Sequence, residues 1–265
     1  EYKTYYYFMK NQYESILGTD IWKYNKAVKD KSVGQEAIES VLRQIIQVKV
    51  IGKEAAIEKV QLATDEKEEA DYRAKTVFDS ISAKDKQTQG IELKVLSKIF
   101  EENKLAQKMY NVQMGKLKID YAANTLSVAK VELIYQAANA KNKETVKNTM
   151  SQILSEVTSS QNSFYTVAKN KTQADAIEYV IGNQDSRTNL AKAVVSLKKN
   201  QTSALIEEKD GFYIAHCIQT NSAALQQQYR NQLVSEKQTE SFQKTYKTWS
   251  DKFDVKVSKA LLAAN

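Results

Sequence analysis

Not one of the 265 residues is proline. At average usage a chain of this length carries about 13. Only 7 residues are glycine. Proline and glycine supply the turns between many short strands, so their scarcity favours long uninterrupted elements, helices above all. It also removes the slow prolyl isomerisation step from the chain's own folding. The composition is 42% hydrophobic and 27% charged, enough apolar material for a core in each of two domains.

The net charge of +7 raises the question of nucleic acid. Only four of the 39 basic residues are arginine (Arg43, Arg73, Arg187 and Arg230), and phosphate and base recognition favour the arginine fork. The lysines are interleaved with acids, as in EKVQLATDEKEEADYRAK, rather than gathered into a stripe. A solvated lysine-rich surface is the expectation, with no nucleic-acid partner and mild attraction to anionic surfaces. No apolar run reaches the length of a membrane span. The chain opens in helical period without methionine, so a missing leader says nothing about compartment.

Helical spacing is immediate. Tyr2, Tyr5, Tyr6, Met9, Tyr13, Ile16 and Leu17 form one stripe. After the loop GTDIWKYNKAVKDK, Ser32 and Gln35 make a capping box ahead of a long helix with Ile38, Val41, Leu42, Ile45, Ile46 and Val50 inward. Thr64 and the acids Asp65, Glu66, Glu68 and Glu69 open another helix. Beyond Gly90 a further one shows Leu93, Leu96, Ile99, Phe100, Met109 and Val112. From about residue 122 the period becomes two. SVAKVELIYQ reads as a strand with Ala129, Val131, Leu133 and Tyr135 on one face. Helices KETVKNTMSQILSEVTSS and NSFYTVAKN follow, then a strand AIEYVI and a helix RTNLAKAVVSL. The strands TSALIEE and GFYIAHCIQ are joined through Lys209-Asp210-Gly211, a hairpin signal. Helical period returns with Leu225, Tyr229, Leu233, Phe242, Tyr246 and Trp249, which need the N-terminal helices as partner. The expected fold is α+β. A discontinuous helical domain, residues 1–121 with the returning segment 221–265, carries a β-α-α-β-α-β-β insert at 122–220.

Three stretches in this order carry a resemblance: AAIEKVQLATDEKEEAD, NLAKAVVSLKKNQTSALIEEKDGFYI and FQKTYKTWSDKFDVKVSKALL. Together they resemble the SurA/PrsA-like extracytoplasmic foldases, chaperones that carry a parvulin-type (PpiC-type) peptidyl-prolyl isomerase domain. The resemblance implies a SurA-N-like helical domain and a lipid anchor upstream of this chain. It implies unfolded or newly exported polypeptides as partners, and no cofactor.

Parvulins place one histidine in the first strand and one in the last, beneath the substrate's prolyl bond. Aligned on KVELIY and DGFYI, those positions fall on Glu132 and Tyr213. The aromatic that cradles the proline ring falls on Leu190 and the methionine four residues earlier on Ser186. The family's glycine-rich turn is replaced by ADAIEY, and its acid or cysteine has only Gln173 or Ala174 nearby. Prolyl isomerisation faces a barrier of about 18–20 kcal/mol. Its catalysis rests on a shaped apolar cup and polar groups that favour a twisted amide. With these positions substituted, the leading expectation is a binding chaperone whose insert has lost isomerase activity. An atypical isomerase using Glu132 and Tyr213, and a cell-surface scaffold, are the alternatives. Client contacts are expected at Tyr5, Tyr6, Trp22, Tyr24, Met109 and Tyr110, in a cleft between helical domain and insert, because Met, Tyr and Leu give adaptable surface.

His216 and Cys217 are the single histidine and the single cysteine. Adjacent on a strand, they point to opposite faces and cannot share a metal, which needs three or four ligands. Strand packing is the expectation for both, and no metal site is expected. The acidic TDEKEEAD lacks calcium-loop spacing.

Overall fold

The computed structural model describes residues 1–23, 32–122, 125–159 and 163–257. The chain divides into two compact units, Glu1–Lys118 with Thr239–Asn265, and Ile119–Gln238.

The first unit is helical. It comprises α1 (Tyr2–Leu17), α2 (Val33–Ile57), α3 (Thr64–Ser80), α4 (Ala83–Gln89) and α5 (Leu93–Gly115). The α2 capping box forms as read: Ser32 Oγ accepts from the Gln35 amide at 3.2 Å, and Gln35 Oε1 accepts from the Ser32 amide at 3.1 Å. For α3 the cap shifts by one residue. Ala63 occupies the N-cap and its amide donates to Glu66 Oε2 at 2.8 Å, so the acid does the work expected of Thr64. The short α4 was not legible. Ser82 caps its start, and Gly90, left-handed at φ 61°, ends it.

Two apolar clusters hold this unit. Tyr5, Val41 and Ile99 tie α1 to α2 and α5, with Tyr2, Tyr6 and Met9 around them. Val50, Ile51, Ala55 and Met109 surround Trp249 from the later part of α9 (Ala223–Ser250), with Phe242 and Tyr246 beside it. The turn after α9 is fixed by charge. Lys252 Nζ lies 3.1 Å from both oxygens of Glu54, whose side chain is 2% exposed on α2.

The second unit contains β1 (Val128–Ala137), α6 (Lys143–Ser159), α7 (Phe164–Lys171), β2 (Glu178–Gly182), α8 (Thr188–Ser196), β3 (Ile206–Glu208) and β4 (Gly211–Gln219). The sheet is antiparallel throughout in the order β2-β1-β4-β3. Its central strands β1 and β4 are buried on both faces. One face packs Val131, Leu133, Tyr213, Ala215 and Cys217 against Leu190 and Val194 of α8. The other packs Ile134, Phe212 and Ile214 against Met150 and Ile153 of α6 and Phe164 and Val167 of α7.

Three details depart from the sequence reading. The strand expected over TSALIEE is shortened to β3, with only an isolated bridge from Thr202 to His216 before it. The hairpin forms, but Lys209 and Asp210 keep negative φ. Gly211 serves instead by close approach, since a Cβ there would sit 2.1 Å from the Gln136 carbonyl oxygen. Finally, the start of α9 belongs to the second unit, not to the N-terminal helices. Leu225, Tyr229 and Leu233 bury against Leu126 and Val128, the apolar residues leading into β1.

Tyr229 presses on Gly182 so closely that an added Cβ would lie 2.4 Å from Tyr229 Cε1 and 2.7 Å from the Ser127 carbonyl oxygen. Gly182→Ala should therefore destabilise the protein by about 1–3 kcal/mol, read as a lower urea midpoint at unchanged slope. Lys252→Ala strands the Glu54 carboxylate and should cost about 1–3 kcal/mol. Converting both Glu54 and Lys252 to leucine should recover most of that loss.

Candidate functional site

On the insert, the four positions implied by the resemblance do not converge. Tyr213 and Leu190 lie in one apolar cluster, both essentially buried. Glu132 is two residues from Lys130 and Ile134 and shares their face, opposite the one carrying Val131, Leu133 and Tyr213. Its cross-strand partner is His216. Burial and the nearby Glu178 hold its carboxyl above the ordinary range. Glu132 and Tyr213 therefore cannot act together on one peptide bond. The reason is the period of two: in the β1–β4 register Glu132 pairs with His216 and Tyr213 with Tyr135, an odd number of residues away, so the two side chains fall on opposite faces. Ser186 is exposed, as is Gln173, whose Oε1 accepts the Ala137 amide at 2.8 Å; Ala174 is partly buried.

Tyr213 sits in a set of groups the sequence reading missed. Its hydroxyl donates to Asp210 Oδ2 at 2.5 Å, and its ring stacks on Tyr135 at 4.7 Å between centroids. The Arg187 guanidinium lies 5.6 Å from the ring centre and is held by Asp185, with Nε and Nη2 donating at 2.9 and 2.7 Å. Burial, followed by the bond to Asp210, pushes the Tyr213 phenol upward. The hydrogen bonds that Arg187 donates to Asp185, with the charge of that carboxylate, raise Arg187 against the opposing effect of burial. The signal was the spacing of Asp185 and Arg187, which lets the acid also accept the Arg187 amide at 2.9 Å. The polar groups on this face are thus mutually satisfied, and Leu190 supplies packing where a cup would need an exposed aromatic.

His216 and Cys217 separate as expected. His216 stacks on Phe164 at 5.3 Å and shares a 2.9 Å hydrogen bond with Thr202 Oγ1. Cys217 is buried in the other cluster, and burial raises its thiol. Among the described residues, no group of three or more His, Cys, Asp or Glu side chains is placed to hold a metal.

The helical unit carries a groove of about 760 Å³ between α1, α2 and α5. Phe8, Met9, Tyr13, Ile16 and Leu17 of α1 form one wall, and Leu96, Ile99 and Phe100 of α5 the other. Its polar lining is uncharged: Gln12, Ser40, Gln44 and Asn103. Ile16 and Leu17 remain 71% and 56% exposed.

Of the expected client contacts, Tyr5 lines this groove but is 7% exposed, with its hydroxyl accepting from Asn103 Nδ2 at 2.9 Å. Tyr6 stacks on Tyr2, and Trp22 stacks on Tyr13 while donating to Glu14 at 2.8 Å. Met109 is fully buried against Trp249, so it is core. Tyr110 packs edge-on against Phe242. Tyr24 lies outside the described residues. The groove's more exposed residues, Ile16 and Leu17, were legible as the end of the α1 stripe, but their exposure was not.

The antiparallel sheet of the insert, with helices on both faces, has the α+β class expected of it. Residues 129–219 match the family model described as Rotamase: PPIC-type PPIASE domain. No curated protein matches the chain. A solved PpiC-type peptidyl-prolyl cis-trans isomerase domain is 22% identical, covering 38% of this chain and 96% of its own, with a TM-score of 0.35. Peptidylprolyl isomerase PrsA from Bacillus anthracis is 14% identical over 82% of this chain and 99% of its own, with a TM-score of 0.45. A SurA-like chaperone structure from Campylobacter jejuni is 12% identical over 91% and 94%, with a TM-score of 0.33. Among the described residues no helix is long and apolar enough to cross a membrane.

Burial lowers the His216 pKa below its ordinary value near 6.5. The stability this neutral histidine lends is present above that value and is lost as pH falls through the folded one. Glu132 is shifted upward from 4.5 and acts in the opposite sense, stabilising below 4.5 and losing that effect as pH rises. His216→Gln should therefore reduce the fall in Tm between pH 7 and pH 5, whereas Glu132→Gln should deepen it.

Proposed function

We propose that this protein is an extracytoplasmic foldase of the binding type, holding unfolded or newly exported polypeptides, with an insert that does not catalyse prolyl isomerisation. The observation that carries the reading is the groove between α1, α2 and α5. It is wide, apolar and without a charged lining residue. Such a surface takes apolar and aromatic segments of any sequence, while the Gln12, Gln44 and Asn103 amides can meet the segment's own backbone groups. Met9 and the aromatic rings supply the adaptability that a promiscuous site needs. The match of residues 129–219 to the PpiC-type domain supports the foldase class. An extracytoplasmic location and a lipid anchor belong to the same reading.

Three features of the insert support the reading that it does not catalyse isomerisation. Glu132 and Tyr213 lie on opposite faces, the Tyr213 hydroxyl is engaged by Asp210, and Leu190 is buried. Glu132 and Tyr213 are thus not placed to face one twisted amide together.

Refolding of a client limited by prolyl isomerisation tests both parts together. Recovered yield should rise with stoichiometric amounts of the protein while the slow rate constant stays unchanged. Acceleration at catalytic amounts would instead establish an active isomerase. Replacing Ile16 and Leu17 together with lysine should abolish most of the yield effect. Folding should be preserved, because exposed sites tolerate such changes within about 0.5 kcal/mol. A double variant as effective as the parent protein would remove the groove from the mechanism.

A further inference from the structure

We propose that the free edge of β2 takes up an extended polypeptide strand by β-pairing. This inference rests on the reading above, that the protein binds unfolded chains, and gives one of its contacts an atomic form.

The starting point is the hydrogen-bond parity of the β1–β2 ladder. The Asn183 amide donates to the Ser127 carbonyl at 2.9 Å, and the Leu133 amide donates to the Ile177 carbonyl at 2.8 Å. With the register Ala129 to Ile181 and Val131 to Tyr179, the odd-numbered residues of β2 therefore bond to β1. In an antiparallel ladder the intervening residues point their amides and carbonyls away from the partner. Those residues are Glu178, Val180 and Gly182. The Gly182 carbonyl accepts the Asp185 amide at 3.0 Å. Among the described residues, the outward backbone groups of Glu178 and Val180 meet no backbone partner.

The opposite edge of the sheet is treated differently. On β3 the outward residue is Glu207, and its carbonyl accepts from Asn189 Nδ2 at 2.9 Å. The Glu208 carboxylate accepts the Asn189 and Leu190 amides at the start of α8. That edge is closed by side chains, whereas the β2 edge is open, the condition for strand addition.

The open edge does not face bulk solvent alone. It borders a cavity of about 310 Å³ lined by consecutive β2 residues and by Gln228 and Gln232 of α9. This is the low end of ligand-site volumes, room for a short extended segment. The cavity's charges are already paired. Lys130 is bound to Glu178 at 2.5 Å, and Arg187 to Asp185. A charged small ligand gains little from such neutralised pairs, while a neutral peptide backbone matches the free amides of β2 and the side-chain amides of α9. A second folded copy is a poorer fit, because its own β2 edge would arrive flanked by its own Gln228 and Gln232.

Val180 allows a clean test. Its amide is not used in the ladder, so proline, tolerated where an edge N–H faces outward, removes the donor without breaking a bond to β1. The probe is a carboxymethylated, permanently unfolded lactalbumin added to the full chain, with amide exchange followed by NMR. Exchange at Glu178 and Val180 should slow at least tenfold on binding, with Tyr179 and Ile181 little changed. Val180→Pro should weaken binding about tenfold, and Val180→Thr, which keeps the amide, should not. If the probe binds but exchange at Val180 is unaltered in the native protein, the edge inference fails and the chaperone reading stands. If the probe does not bind at all, both fail. Protection that appears without probe and grows with protein concentration would assign the edge to a second copy and overturn the proposal.

Discussion

The pairing of β1 with β4 is the constraint on which the insert depends. Both strands are covered on both faces, so each residue is committed to one of two apolar layers. A shift of one residue would drive Glu132, Lys130 and His216 into the layer of Val131, Leu133 and Cys217, leaving charges buried without partners. The register is therefore fixed by burial, and it separates groups that neighbour one another in sequence. It sends His216 to Phe164 and Cys217 to Tyr213's side. It also parts Glu132 from Tyr213. The chemistry available on the isomerase-like face follows from this separation, since Tyr213, Tyr135, Arg187, Asp185 and Asp210 satisfy one another there.

The helical unit works by the opposite logic. Its packing consumes part of the apolar surface of α1 and leaves the rest open. Tyr5 goes into the core with Val41 and Ile99, while Ile16 and Leu17 extend past the point where α2 and α5 give cover. A groove with one buried end and one exposed end is the surface that the proposed binding of apolar segments would use. The buried Glu54 and its partner Lys252 keep the chain after α9 against α2, so the unit is closed by a segment far along the sequence.

Much of the fold was legible in local pattern. The capping box of Ser32 and Gln35, the period change near residue 122 and the Asp-Gly hairpin are signals whose physics acts over a few residues. The site was less legible because it depends on register and on exposure. Placing Glu132 and Tyr213 in one site depends on the cross-strand register, and the alternation that makes each strand recognisable does not say which residues of two strands share a face. Met109 carried the same helical signal as a surface methionine would, and only the arrival of Trp249 buries it.

By itself the sequence determined the α+β class, the order of helices and strands, and the opposite orientation of His216 and Cys217, because periodicity and capping are set within a few residues. The tertiary structure decided which faces meet. It gave the first turns of α9 to the insert through Leu225, Tyr229 and Leu233, closed the β3 edge with Asn189 and left the β2 edge open. These are outcomes of long-range packing, in which a side chain's role depends on what lies opposite it, and no spacing along the chain encodes that.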